Sequence, residues 1–288
     1  MRRWFSTCQR ASRVVRCVNE KGAVVFGQPV AGASVQLIKG DLFGSLELTP
    51  TVFETRQLLS PVEPPAIYCI GLNYKKHAAE AKLPIPKLPV LFFKPPSSVI
   101  AHRETIVIPK VCQNAAEVDY EAELAVVIGK TCKNVSEDEA LDFVMGYTIC
   151  NDVSARRWQG KKGGGQWSRA KAFDSFCPLG PAVTPLQTLP PNLQDPGSAS
   201  SPGLAISTKL NGAVMQSSRT NDMIFSVSQI VSFLSQGTTL HPGTVIITGT
   251  PEGVGFAREP PVFLQHNDEV VVEIESIGQL CNPVEKES

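Results

Sequence analysis

The chain has no C-x-x-C pair; its eight cysteines (Cys8, Cys17, Cys69, Cys112, Cys132, Cys150, Cys177, Cys281) are scattered over 288 residues. That spacing suits neither a cysteine-based zinc site nor a dense disulfide framework, and fits thiols acting as small core residues in a reducing compartment. Net charge is missing as well, because Lys+Arg and Asp+Glu each number 27. The composition therefore argues against nucleic acid or an acidic membrane as a partner. No stretch approaches the roughly 18 consecutive apolar residues that span a bilayer. No internal repeat is visible. Histidine is scarce, with four in all.

What is present describes a soluble globular protein. Hydrophobic residues make up 42 % and charged residues 19 %, and the length accommodates one large domain or two ordinary ones. Residues 1–19 hold Arg2, Arg3, Arg10, Arg13 and Arg16 and no acid, with Trp4 and Phe5 among them. An arginine-rich, acid-free start of this kind has the composition of a mitochondrial presequence. It would be short, covering 1–11, and would direct the protein to the mitochondrial matrix. An ordinary basic tail on a cytoplasmic protein is the alternative that composition leaves open.

Short β segments dominate the chain. Residues 14–18, 23–26 and 34–38 read as strands separated by Gly and Pro, making 12–60 a small N-terminal β unit. The proline-rich stretch 60–65 reads as a linker into a larger region, 66–288. There 66–71 is an apolar strand, 73–82 a helix stopped by Pro84 and Pro86, and 147–153 and 243–249 are further strands. Ser136 and Glu139 form a capping box, which predicts a helix carrying Ala140, Leu141, Val144 and Met145. Asn211-Gly212 is a hairpin signal of the primed-turn type. Residues 226–235 read as another helix and 270–274 as the last strand. Five prolines and two glycines in 185–203 predict an exposed, irregular insertion. The class is α+β, predominantly β.

The segment 117–129 alternates acidic and apolar residues before an unbroken apolar run. In a strand this puts Val118, Tyr120, Ala122 and Leu124 on one face and Asp119, Glu121 and Glu123 on the other, with neighbouring acids about 7 Å apart. Clustered carboxylates cost free energy unless water or a cation neutralises them. A solvated edge strand is the ordinary reading, but 125–128 continues as a doubly buried strand, which favours a metal. Asp152, closing another apolar strand, supplies a third acid. The oxygen-only set Glu121, Glu123 and Asp152 suits Mg²⁺, Mn²⁺ or Ca²⁺ rather than zinc.

His77 and Glu80 stand three apart on the predicted helix, a spacing at which a carboxylate orients an imidazole for general-base work. A surface pair is the plainer alternative. A glutamine at position 80 would keep a hydrogen bond to the ring, so Glu80→Gln is expected to be milder than His77→Ala. Lys171 follows a glycine-rich stretch and can reach over a pocket toward a carboxylate or enolate, although a loop lysine is usually solvated. The turn 248–255, Thr-Gly-Thr-Pro-Glu-Gly-Val-Gly, presents N–H groups and hydroxyls of the kind that bind anions. No suitably spaced helix follows, so it is not a nucleotide-binding fingerprint.

The runs 71–77, 91–95, 118–129, 151–156, 171–180, 211–212 and 248–255, taken in order, resemble the fumarylacetoacetate hydrolase family over roughly residues 66–278. The run 172–180 is most similar to the mitochondrial branch assigned as oxaloacetate tautomerases. The resemblance implies a mixed β-roll catalytic domain with a small N-terminal β domain, usually as a homodimer. It places the family's Mg²⁺ ligands on Glu121, Glu123 and Asp152, and its catalytic dyad on His77 and Glu80. Its substrate lysine falls on Lys171, its arginine and glutamine on Arg156 and Gln159, and the threonine of its T-G-T-P turn on Thr250. It implies a small 2-oxo acid substrate, foremost oxaloacetate undergoing keto–enol tautomerisation. Hydrolysis of an acylpyruvate-type C–C bond, oxaloacetate decarboxylation and a metal-stabilised, non-catalytic scaffold are the alternatives. Arg157 departs from the family's aspartate at that place and is expected to add positive charge at the pocket rim.

Overall fold

Every side chain of the strand Ala122–Ile128 is buried. Leu124, Val126 and Ile128 enter one apolar core, while Ala125 and Val127 enter a second on the opposite face. A strand covered on both sides needs apolar residues at successive positions, which is why polar alternation stops there. In the computed structural model, which describes residues 11–288, this strand is central to a curled, mixed, seven-stranded sheet. Its order is Val90–Lys94, Ile67–Gly71, Val245–Ile247, Ala122–Ile128, Val144–Asn151, Cys177–Pro185, Val99–Ile100. Most neighbours are antiparallel; Val245–Ile247 runs parallel to Ile67–Gly71, and Val99–Ile100 to Cys177–Pro185. The expected presequence, apart from Ala11, lies outside the described residues.

One face of this sheet packs on the helix Val227–Ser235 and on a second sheet, ordered Ala213–Arg219, Ala205–Leu210, Glu269–Ile274, Gly278–Lys286, Ile106–Ile108. The other face meets an antiparallel N-terminal sheet through Ile38 and neighbours. That sheet contains Val15–Val18, Val24–Ala31 and Ser34–Gly40, joined by Leu46–Glu54 and Gln57–Leu59, two strands the sequence reading did not pick out. The architecture is α+β with strands predominant. Asn211 (φ 50°) and Gly212 (φ 81°) both take the left-handed conformation that a primed hairpin turn requires. Ser226 caps Val227–Ser235: its hydroxyl accepts the Gln229 N–H, and Gln229 Oε1 accepts the Ser226 N–H (3.0 Å).

Three expectations need correction. The helix signalled by Ser136 and Glu139 runs only over Glu137–Ala140, with a 3₁₀ turn to Phe143; Val144 and Met145 already belong to the strand Val144–Asn151. Apolar spacing of three and four fits a helix, but the sheet claims these residues through the close approach of Gly146, whose Cβ would sit 2.1 Å from the Thr184 carbonyl oxygen. Residues 270–274 are not the last strand. Gly278–Lys286 follows and buries Leu280, Asn282 and Val284, a period of two masked by Asn282 and Pro283. Residues 185–203 are irregular but only partly exposed. Leu186 and Leu189 enter the core, Tyr147 Oη donates to the Gln194 carbonyl (2.7 Å), and Asp195 accepts the Ser228 N–H (3.0 Å) and hydroxyl (2.8 Å).

Candidate active site

The acidic alternation is broken in space. Val118–Asp119 pairs with Ser154–Ala155 in a small separate sheet, and regular pairing resumes only at Ala122. The interruption at Tyr120–Glu121 separates acids that one continuous strand would have kept in a row. Asp119 accepts from Arg156 Nε (2.8 Å) and from the N–H groups of Gly255 (2.8 Å) and Phe256 (3.0 Å). Glu121 and Glu123 instead meet Asp152, whose N–H donates to the Glu121 carbonyl (2.9 Å). One oxygen from each of these three buried carboxylates lies within 4.8 Å of the others.

Basic groups surround the acids. Lys171 Nζ donates to Glu121 Oε2 (2.8 Å), Asp152 Oδ2 (2.5 Å) and Ser154 Oγ (2.7 Å), which uses all three hydrogens of an ammonium group. Lys94 Nζ, behind the site, donates to Asp152 Oδ1 (2.6 Å) and the Val153 carbonyl (3.2 Å). Arg156 Nη1 lies 2.6 Å from Glu121 Oε1 and donates to Gln159 Oε1 (2.8 Å), and its guanidinium sits 4.4 Å over the Phe256 ring. Four carboxylates (Asp119, Glu121, Glu123, Asp152) thus face three basic groups (Lys94, Arg156, Lys171).

Glu123 is the carboxylate held by the Gly249 N–H (2.5 Å) rather than by a cation. Burial, reinforced by the charges of Asp152 and Glu121, pushes its carboxyl well above the usual range. Burial also opposes ionisation of Glu121, but Lys171 and Arg156 outweigh it and hold that carboxyl at about 2. One buried carboxylate in excess is costly until a proton or a cation joins it. Three convergent, buried, hard oxygen donors fit a divalent cation such as Mg²⁺.

The second element is the short helix Lys75–Glu80, where His77 Nδ1 lies 3.0 Å from Glu80 Oε2. Glu80 Oε1 accepts the Gly253 N–H (2.9 Å). Burial works against this carboxylate, yet its bonds to His77 and Gly253 prevail and keep its pKa below the ordinary value. Gly249 (φ 97°) and Gly253 (φ 94°) are left-handed, a conformation open to glycine at little cost. The turn expected to bind an anion therefore points two N–H groups at the site's own carboxylates, Glu123 and Glu80.

Both elements border one cavity of about 270 Å³. Its polar side is formed by His77, Glu121, Glu123, Arg156, Gln159, Lys171 and Thr250; Leu72, Leu83, Phe92, Trp167 and Phe256 make an apolar side. Asp152 and Glu80 stand behind this lining, bonded to Lys171 and His77. All nine residues singled out from the sequence thus come together. Trp167 starts the helix Trp167–Lys171, packs edge-on against Phe92 (5.7 Å), and lies where a Cβ on Gly71 would reach to 2.5 Å. Arg157 does not add charge at the rim: it pairs with buried Glu117 (2.7 Å) and donates to the Val111 carbonyl (2.6 Å), so its charge is neutralised away from the cavity.

Sequence reasoning missed Lys94, Asp119, Ser154 and Gln216 as parts of this network. Lys94 carried a usable signal, being a lysine two residues after inward-facing Phe92 on an apolar strand, and hence an inward position itself.

The fumarylacetoacetate (FAA) hydrolase C-terminal family matches residues 66–285. Fumarylacetoacetate hydrolase domain-containing protein 2 homolog of Dictyostelium discoideum is 47 % identical over 232 residues, 80 % of this chain and 75 % of that protein. Oxaloacetate tautomerase fahd2, mitochondrial, of Xenopus laevis is 46 % identical over 228 residues, 79 % of this chain and 68 % of that protein. The human protein named oxaloacetate tautomerase FAHD2A, mitochondrial, is 44 % identical over 227 residues, 78 % and 68 % of the two chains. Among solved structures, a 2-hydroxyhepta-2,4-diene-1,7-dioate isomerase from Mycobacterium marinum superposes with a TM-score of 0.80 at 36 % identity, covering 96 % of this chain and 100 % of that one. Fumarylacetoacetate hydrolase from Exiguobacterium antarcticum gives 0.81 at 32 % identity, with the same coverage. The Xenopus and human relatives and both solved structures are named as enzymes, which removes the reading of a non-catalytic scaffold, and the match extends over both the cavity and the strands that build it. The chain belongs to the fumarylacetoacetate hydrolase family and is an enzyme of that kind.

Proposed function

We propose that the protein is a Mg²⁺-dependent tautomerase that interconverts enol and keto oxaloacetate. The observation that carries this reading is the meeting, at one cavity, of a carboxylate-bound imidazole and a buried oxygen triad, part of a cluster in which four carboxylates face three basic groups. The Xenopus and human relatives, named oxaloacetate tautomerase, support the choice of substrate. Glu121, Glu123 and Asp152 would hold the ion, Mg²⁺ being preferred to Mn²⁺ or Ca²⁺; when bound, such a cation supplies Lewis acidity toward the vicinal oxygens of a 2-oxo acid.

The remaining work falls to this chain's own groups. Glu80 engages Nδ1 of His77 and leaves Nε2 as the ring nitrogen for the cavity, where it carries the proton between C3 and the enol oxygen. Arg156 and Gln159, bonded to each other, make the wall that receives one carboxylate, and Thr250 offers a hydroxyl to another anionic oxygen. Lys171, with its three hydrogens on protein acceptors, contributes its positive charge rather than a spare donor. Decay of enol oxaloacetate, followed by ultraviolet absorbance, is expected to be faster with Mg²⁺-loaded protein than with buffer and Mg²⁺ alone. Equal rates would end this reading.

A second reading, hydrolysis of an acylpyruvate-type C–C bond, is favoured by the apolar side of the cavity, which a small dicarboxylate does not need; oxaloacetate decarboxylation is the alternative on the smaller substrate. NMR of the products separates the readings, because only tautomerisation keeps the carbon count. The proposal further takes the protein as a homodimer of the mitochondrial matrix. The relatives named mitochondrial and the arginine-rich start support the location. Exposed Leu83, Ile85, Leu88, Leu91 and Phe93, on and beside the outermost strand of the large sheet, support self-association.

A further inference from the structure

Gln216, on the strand Ala213–Arg219, is 1 % exposed and uses every hydrogen-bonding position of its carboxamide. Oε1 accepts from the Ala122 N–H (2.9 Å) and the Thr208 hydroxyl (2.8 Å). Nε2 donates to the Pro251 carbonyl (2.9 Å) and to Thr250 Oγ1 (2.9 Å). Two of these partners fix which way the amide faces. A backbone N–H only donates and a backbone carbonyl only accepts, so the oxygen must face Ala122 and the nitrogen must face Pro251. The nitrogen then meets Thr250 as a donor, and Thr250 Oγ1 is the acceptor.

A hydroxyl has one hydrogen and two lone pairs. With a lone pair of Oγ1 engaged by Gln216, the Thr250 hydrogen is not consumed in that bond, and Thr250 lines the cavity. The geometry points to Gln216 as a positioning residue that makes Thr250 a hydrogen-bond donor toward an anionic oxygen of the substrate. The same carboxamide grips Ala122, which lies between Glu121 and Glu123. One side chain therefore sets both the polarity of the Thr250 hydroxyl and its spacing from the acidic strand. This inference rests on the reading that a small 2-oxo acid fills the cavity.

The test is the binding of oxalate, a dianion with the vicinal oxygens of a 2-oxo acid enolate. It is measured calorimetrically in Mg²⁺ on the full chain, with folding of each variant checked by circular dichroism. Thr250→Val is expected to weaken oxalate on the order of 10-fold or more, the value of a hydrogen bond to a charged group. Thr250→Ser, which keeps the hydroxyl, is expected to bind within about threefold of wild type. Gln216→Met is expected to weaken binding nearly as much as Thr250→Val, and the double variant no more than Thr250→Val alone, because both remove one donor. Gln216→Glu, isosteric but without a hydrogen to give, draws the Thr250 hydrogen to itself and should weaken binding at least as much; it carries the test if Gln216→Met does not fold. Wild-type binding in the Gln216 variants, or losses that multiply in the double variant, would overturn the inference while leaving Thr250 in contact with substrate. Unchanged binding in Thr250→Val would overturn it differently, by removing Thr250 from the substrate site altogether.

Discussion

Glu80→Gln is the most informative substitution, because the structure says how large its loss must be. The sequence sets that loss below the loss for His77→Ala, since a glutamine can still bond to His77. Yet Glu80 has two partners: Oε2 faces His77 Nδ1 at 3.0 Å, and Oε1 accepts the Gly253 N–H at 2.9 Å. The Gly253 N–H can only donate, so the glutamine oxygen must stay there and the NH₂ must turn to His77. An NH₂ facing Nδ1 demands that Nδ1 accept, which shifts the ring hydrogen to Nε2, the nitrogen left for the cavity. The base becomes a donor. Turning the amide the other way sets two donors against each other and strands the Gly253 N–H, at a cost of about 1–2 kcal/mol in this half-buried place. The competent tautomer is then disfavoured by roughly 5- to 30-fold. Loss of the carboxylate charge beside a transient imidazolium adds to this, for a fall in kcat on the order of 10²-fold. The measurement is stopped-flow absorbance of enol oxaloacetate, with KM and circular dichroism expected to stay near wild type. A variant within about threefold of wild-type kcat would refute the tautomer argument.

Three further outcomes are expected. Glu121→Gln, Glu123→Gln and Asp152→Asn should each lose Mg²⁺ affinity by calorimetry and lose activity with the fold retained, and EDTA should inactivate wild type until Mg²⁺ or Mn²⁺ is restored. In EDTA, Glu121 contributes stability that is present above its unfolded pKa and lost as pH falls through its folded one. Against the opposing effect of burial, Lys171 and Arg156 hold that folded pKa below the ordinary carboxylate value, so the urea-measured stability of Glu121→Gln should show a flatter pH dependence over that window. Gly71→Ala puts a Cβ 2.5 Å from the Trp167 ring, so denaturant melts should show a loss of about 1–3 kcal/mol; no loss would mean that Trp167 can move aside freely.

The acids and the dyad were legible in the sequence because their chemistry is local. Glu121 and Glu123 are two apart in an alternating strand, and His77 and Glu80 are three apart on one helix. In both cases spacing alone states a face. Asp119 belongs to the same alternation and could not be told from Glu121, since the difference is made by the break at Tyr120–Glu121 and by Arg156, 37 residues further on. Val144 and Met145 show the same limit in the fold: their spacing suited a helix, and what overrode it was the approach of the strand carrying Thr184. Gln216 left no local trace, because each of its partners except nearby Thr208 comes from a distant segment. Lys94 lies between these cases. Its inward position follows from Phe92, but its partner Asp152 is 58 residues away. The acids, the dyad and Lys171 were thus found by residue type and spacing, and Arg156, Gln159 and Thr250 through the family resemblance. Ser154 and Gln216, which orient them, were hidden, because a polar side chain shows its orienting role only through partners that the fold brings to it.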